Sequence, residues 1–206
     1  MIRLAKLLPI FSYIFHPIFI SIYGACFYFL ISPNAQYLVK TQIYLILFQI
    51  ILLTILLPLS LYFLLVSLGI ISSFTEASLK ERRLPITIQA VLLFFLIRFN
   101  QHLTDLPELY YFFLGAFFSS IIAFAGVLAK FKASLHMMGI GSLATFIYGL
   151  TLFYNLPLIN SVAFSIICVG FVASSRLYLK SHTNFELFIG LLIGLIPQIS
   201  LWNFYL

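Results

Sequence analysis

Between Leu109 and Ala129 the chain reads LYYFFLGAFFSSIIAFAGVLA, 21 residues without one charged side chain. At a rise of about 1.5 Å per residue, a helix of that length spans a hydrocarbon layer roughly 30 Å thick. Similar runs lie on both sides of it. Upstream, one extends from Leu7 to about Ile31 behind a short segment carrying Arg3 and Lys6. A second extends from about Ile43 to Ile71, with Pro58 as an expected kink, and a shorter third from Ile86 to about Phe99. Downstream, a fifth covers Met137 to Tyr154, Pro157 opens a sixth that ends near Ala173, and the last covers Glu186 to about Tyr205. This pattern predicts an all-α polytopic membrane bundle of seven helices, or six if the short third run is re-entrant. One transmembrane domain then occupies residues 1–206. The first run is too long for the apolar core of a cleaved signal and reads as a retained span. Every loop is short, so any chemistry must sit at the helix ends.

Composition supports lipid as the solvent. Hydrophobic residues make up 63% and charged residues 8%, with 24 Phe, 12 Tyr and a mean hydropathy of +1.15. A soluble domain carries about 25% charged residues and could not hide so much apolar surface. The formal net charge is +6, but the charges are too few for a nucleic-acid surface. Anionic lipid, an anionic substrate and the positive-inside bias of loops remain as explanations. Cys26 and Cys168 both fall inside apolar runs and read as small buried hydrophobes, not as a disulfide framework or metal cluster.

If every run crosses, the loops after the second, fourth and sixth share one face with the N-terminus. That face collects Arg3, Lys6, Lys80, Arg82, Arg83, Lys130, Lys132, Arg176 and Lys180, leaving Lys40 and Arg98 for the other. Positive-inside orientation alone explains such a bias. The same loops, however, hold His136 and His182, two of four histidines, together with Ser134, Ser175 and Glu186. Ionisable groups at membrane depth are costly and usually serve a site. Cations that fork around oxygens suit a phosphate, and histidine can attack phosphorus or protonate a leaving oxygen. His16, ahead of Pro17, reads as a packed or helix-bonded residue. Arg98, His102 and Asp105 read as a solvated loop on the opposite face, the aromatic runs as lipid-facing belt, and Gly139, Gly141, Gly190 and Gly194 as close helix packing.

The loop from Ser175 to Glu186 sharpens this. Ser175-Arg176, five residues, His182, three residues and Glu186 resemble the third signature of the type 2 phosphatidic acid phosphatase superfamily, with Glu186 in place of its Asp. Ala133-Ser134-Leu135-His136 resembles the second signature, Pro-Ser-Gly-His, at its Ser and His. Lys80-Glu81-Arg82-Arg83-Leu84-Pro85 resembles a compressed first signature, Lys, six residues, Arg-Pro, with Glu76 where the family has Lys and Leu84 inserted before Pro85. The resemblance covers about residues 75–197 and leaves out the first two spans.

It implies a membrane lipid phosphatase that needs no metal or other cofactor. His182 would be the nucleophile forming a phosphohistidine, with Glu186 fixing its tautomer and His136 serving as general acid. Arg176, with Arg82 or Arg83 and Lys80, would neutralise the phosphate oxygens, and Ser134 and Ser175 would add donors. The substrate would be a phosphate monoester or diphosphate on a lipid or polyprenyl tail, and nucleic acid is no partner. Three alternatives stand beside it: a phosphotransferase using the same histidine, a non-catalytic lipid-binding or scaffolding relative, and, more remotely, a transporter, which would want its charges at the bilayer midplane. The family implies a bacterial inner (cell) membrane with the site outside, whereas the full charge count places this face inside. With the five candidate phosphate cations, Lys132 among them, set aside, the count decides little.

Overall fold

The computed structural model describes residues 6–71 and 79–204, and every regular element among them is helical. Eight helices follow one another: α1 (Leu8–Ile14), α2 (Pro17–Ile31), α3 (Lys40–Ser67), α4 (Arg83–Phe99), α5 (Pro107–Leu128), α6 (Leu135–Phe153), α7 (Ile159–Tyr178) and α8 (Asn184–Leu201). The protein is an all-α polytopic bundle. Five helices (α3 and α5 to α8) are long and apolar enough to cross a bilayer, and the pair α1–α2 raises that to six.

Two expectations about the spans need correction. The first run is not a single rod. α1 and α2 meet at 67°, because Pro17 cannot donate to the preceding turn and instead opens α2 as its first residue. His16 caps that opening, its Nδ1 accepting from the Ile18 amide at 3.4 Å. α1 folds back along α7, with Phe11 stacked on Phe171 at 4.4 Å and the Ser12 and Ser175 hydroxyls 2.6 Å apart. The third run is an unbroken 17-residue helix, α4, packed along α5, and not a re-entrant segment. Pro58 acts as expected, though through a π-turn at Leu52–Leu56 and not through a simple kink. The turn spares the carbonyl that the proline ring would strike, and the Thr54 hydroxyl bonds the Ile50 carbonyl at 2.8 Å.

α6 is the central helix and packs most closely against α8. The closeness is set by glycine. A Cβ on Gly190 would lie 2.5 Å from the Ser134 carbonyl oxygen, and one on Gly194 would overlap the Met138 carbonyl. In lipid, small residues that let backbones approach supply the packing that hydrophobic exclusion cannot. Aromatic side chains fill the rest, with Phe112 stacked on Phe146 at 4.4 Å and both buried. α2, α4, α6 and α8 begin at one end of the bundle, and α7 finishes there.

Candidate active site

α7 ends in a left-handed closure: Lys180 has φ 51°, its amide bonds the Leu177 carbonyl at 2.9 Å, and the Ser181 amide bonds the Arg176 carbonyl at 3.1 Å. This Schellman turn satisfies the last carbonyls and swings the chain directly into α8. Thr183 then caps α8. Its hydroxyl accepts from the Glu186 amide at 3.3 Å, and the Glu186 carboxylate accepts from the Thr183 amide at 3.1 Å. The pair is a capping box. His182 thus stands just ahead of the cap, outside the helix. Its Nδ1 donates to Glu186 Oε2 at 2.9 Å. The glutamate side chain reaches back over the helix start, and the same oxygen, Oε2, meets both the Thr183 amide and the imidazole.

The bond at Nδ1 directs Nε2 of the buried His182 toward a cavity of about 300 Å³ at this end of the bundle. Arg82 from the start of α4, Arg176 from the last turn of α7, His136 from the first turn of α6 and His16 from the α1–α2 bend line the same space. Burial lowers the His182 imidazole from 6.5 to about 4; the Glu186 bond opposes this, and Arg82, Arg176 and Lys132 reinforce it. At neutral pH the ring is therefore uncharged, the form in which a free nitrogen is a nucleophile. The Arg176 Nε is buried without an acceptor among the described residues. A guanidinium donor in that state, beside a second arginine and next to an unprotonated imidazole nitrogen, suits an oxyanion.

His136 is held by a part of the chain outside the family resemblance. Its Nε2 donates to the Ser12 carbonyl of α1 at 3.2 Å, and its ring meets that of His16 edge-on at 5.1 Å. With Nε2 committed to an acceptor, Nδ1 is the atom left to exchange a proton with a bound group.

Other expected residues lie elsewhere. Ser134 is fully buried; its hydroxyl caps α6 by accepting from the Met137 amide at 3.5 Å, and its own amide donates to the Glu186 carbonyl at 3.2 Å. The amide is thus spent on tying α6 to α8, and the hydroxyl, engaged as the cap of α6, does not line the cavity. The Ser175 hydroxyl is likewise used on Ser12. Arg83 and Lys80 are exposed and do not line the cavity. With α4 starting at Arg83, Arg82 is the side chain that turns inward. Thr75, Glu76, Ala77 and Ser78, part of the degraded first signature, lie outside the described residues. Lys132 approaches from the α5–α6 loop, its Nζ 3.1 Å from the Ser181 carbonyl. The cavity also takes His16 and, from α3, Tyr62. A His-Pro pair opening an apolar run signals a helix cap, but nothing local shows that the bend brings it to the other histidines.

No family model, characterised protein or solved structure matches this chain. Its reading therefore rests on the geometry and chemistry of this one site.

Below the charged rim the cavity turns apolar. Ile20, Pro58, Leu59, Ile86, Leu93 and Phe112 form its walls and floor, with Phe112 closing the bottom where a Cβ on Gly24 would reach it at 2.5 Å. A polar mouth over an apolar shaft fits an amphiphile entering head outward, and the volume lies at the small end of ligand sites, about 300–1,000 Å³.

Proposed function

We propose that this integral membrane protein is a lipid phosphatase that hydrolyses a phosphate ester or diphosphate on a lipid through a phosphohistidine. What carries the reading is the His182–Glu186 pair at 2.9 Å, facing a cavity shared with Arg82, Arg176 and His136 above an apolar shaft. The resemblance of Ser175–Glu186 and Ala133–His136 to the type 2 phosphatidic acid phosphatase signatures agrees with the roles that geometry supports, while Ser134 and Ser175 serve as scaffold.

Arg82 and Arg176 clamp the phosphate oxygens, supplying the charge neutralisation from which most phosphoryl-transfer catalysis arises. His182 Nε2 attacks phosphorus as the bond to the leaving oxygen breaks, and Glu186 stabilises the positive charge gained by the ring. A phosphate ester binding as its monoanion passes its proton to Nδ1 of His136, which hands that proton to the leaving oxygen. Water then attacks the phosphohistidine and gives its proton to His136. The P–N bond breaks, inorganic phosphate leaves, and both histidines return to their starting states. No step draws on a metal.

The test is phosphate release from lipid phosphates in mild detergent with EDTA present, compared with His182→Ala. Release that survives EDTA and falls by about a thousandfold or more in the variant is expected when a nucleophile is lost. Dependence on added metal overturns the mechanism. Phosphoryl labelling of His182 without release identifies a transferase lacking its acceptor. Binding that needs Arg176 but not His182, with no turnover, identifies a lipid-binding protein instead.

A further inference from the structure

The shaft is not uniformly apolar. Ser119, Ser120 and Ser142 face it, but each hydroxyl is already satisfied by a carbonyl, of Ile193 at 2.8 Å, Ala116 at 2.9 Å and Gly194 at 3.1 Å respectively. Two other polar side chains on its wall differ. The Gln89 carboxamide and the Ser21 hydroxyl have no hydrogen-bond partner among the described residues. A primary amide left unbonded in a hydrocarbon setting is costly, and Gln89 is the more demanding of the two because it carries two donors and an acceptor.

Each lies below the charged rim on its own helix. Gln89 follows Arg82 by two turns on the same face of α4, with Ile86 between and Leu93 beyond, which sets it about 10 Å deeper. Ser21 follows His16 by five residues on α2, about 7 Å deeper. Above them the cavity is cationic; below them, Leu93 and Phe112 leave nothing polar to bond.

Resting on the phosphatase reading, we propose that Gln89 and Ser21 form a polar ledge that donates hydrogen bonds to the ester carbonyls of a glycerolipid phosphate. In such a lipid the carbonyls follow the phosphate by a few carbons, before the hydrocarbon begins. A polyprenyl phosphate is hydrocarbon from its first carbon and would leave the ledge unbonded. The ledge thus selects glycerol esters over isoprenoid phosphates, and Gln89 is the specificity-determining residue.

Three substrates separate the possibilities: a diacylglycerol phosphate, its dialkyl-ether analogue with the same chains, and a polyprenyl monophosphate, each in the same micelles. The ester is expected to exceed the ether about tenfold in kcat/KM, equivalent to one good hydrogen bond. Gln89→Leu should erase that preference by lowering the ester alone, leaving the other two within about twofold. Ser21→Ala should act the same way more weakly. Thermal stabilisation of the protein by each lipid gives the same ranking without turnover. Equal ester and ether values in the wild type, in both readouts, overturn the ledge as a carbonyl site and leave it as a place for water. A uniform fall on all three lipids with Gln89→Leu also overturns it. Loss of His182-dependent release from every lipid, with the ester still stabilising best, removes the phosphatase reading and keeps the ledge.

Discussion

Two glutamates occupy the first turns of their helices at opposite ends of the bundle, and they do different work. Glu108 on α5 is fully buried and accepts three bonds, from the Tyr28 hydroxyl at 3.0 Å, the Tyr154 hydroxyl at 2.7 Å and the Asn34 amide at 3.2 Å. All its partners are neutral, and it lines neither of the principal cavities. Glu186 on α8 is half-buried and bonds an imidazole whose other nitrogen faces the cavity. Both positions suit a carboxylate, since helix N-termini favour negative charge. A buried ionisable group therefore does not by itself mark a site. What distinguishes the two is whether the partner keeps an unused valence pointing into open space.

Conservative variants at the two positions should split cleanly. Glu186→Gln keeps the capping box, which accepts glutamine, but loses the charge that, on the proposed mechanism, would stabilise the phosphorylated ring. Turnover should fall about a hundredfold, with the melting temperature almost unchanged. Glu108→Gln should do the reverse. Bonds to a charged acceptor are worth about 1.5–3 kcal/mol each. A net loss of about 2 kcal/mol, some 4–8 °C in a chain of this size, should therefore accompany near-normal turnover. Heat-induced loss of monodisperse protein in detergent and phosphate release measure the two effects. If either variant moves both observables alike, the division between scaffold and site fails.

Gly190→Ala tests the joint between them. The added methyl would meet the Ser134 backbone, forcing α8 from α6 where Glu186 and His136 are set. Overpacking of this kind costs about 1–3 kcal/mol, and a displacement near 1 Å can cost about a hundredfold in rate. Both observables should fall together, unlike either glutamate variant.

Much of this was legible in the sequence. The long apolar runs gave the helices, and the fixed spacing from His182 to Glu186 gave the contact between them, because that contact is local. What the sequence hid is non-local or depends on helical phase. Arg82 and Arg83 differ by one residue, about 100° of rotation, and a linear motif cannot say which turns inward. Ser134 and Ser175 match the motif, yet their hydroxyls are consumed by a cap and by Ser12 from a helix more than 100 residues away in sequence. Glu108 looks like an ordinary helix-start acid, since its three partners come from segments as distant as Tyr28 and Tyr154. The bend at Pro17 lies inside what reads as one continuous span, and that it brings Ser12 and His16 to the site follows only from α1 docking on α7.

Protonation supplies a finer contrast within the site. His182, lowered from 6.5 to about 4, should stay neutral until the pH falls toward 4. This sign means that the fold gains stability from the neutral ring above pH 6.5 and loses it as the pH drops through 4. The histidine nitrogen shifts of ¹⁵N-labelled protein should place its midpoint near 4. Glu186→Gln should move that midpoint lower still, because the carboxylate is what holds it up. A midpoint near 6.5 would show an imidazole open to water, and the nucleophile would no longer be set apart from a surface histidine.

The smallest effect concerns how the two ends terminate their helices. Four left-handed closures among the described residues have the same form: the far end uses Asn155 (φ 50°), while the site end uses Gly69 (φ 69°), Lys130 (φ 63°) and Lys180 (φ 51°). Asparagine tolerates this conformation; lysine, with its Cβ crowding the carbonyl, loses about 1–2 kcal/mol relative to glycine. Glycine in turn loses more entropy on folding. Lys180→Gly and Lys130→Gly should therefore each stabilise by about 0.5–1 kcal/mol, or roughly 1–4 °C, and Asn155→Gly by less. A lysine beside a surface of anionic lipid heads is worth about 1 kcal/mol. The gain should accordingly appear in neutral detergent and shrink in micelles doped with anionic lipid. If Lys180→Gly is equally stabilising in both, the lysines at this end are not held there by the charge of the lipid the site faces.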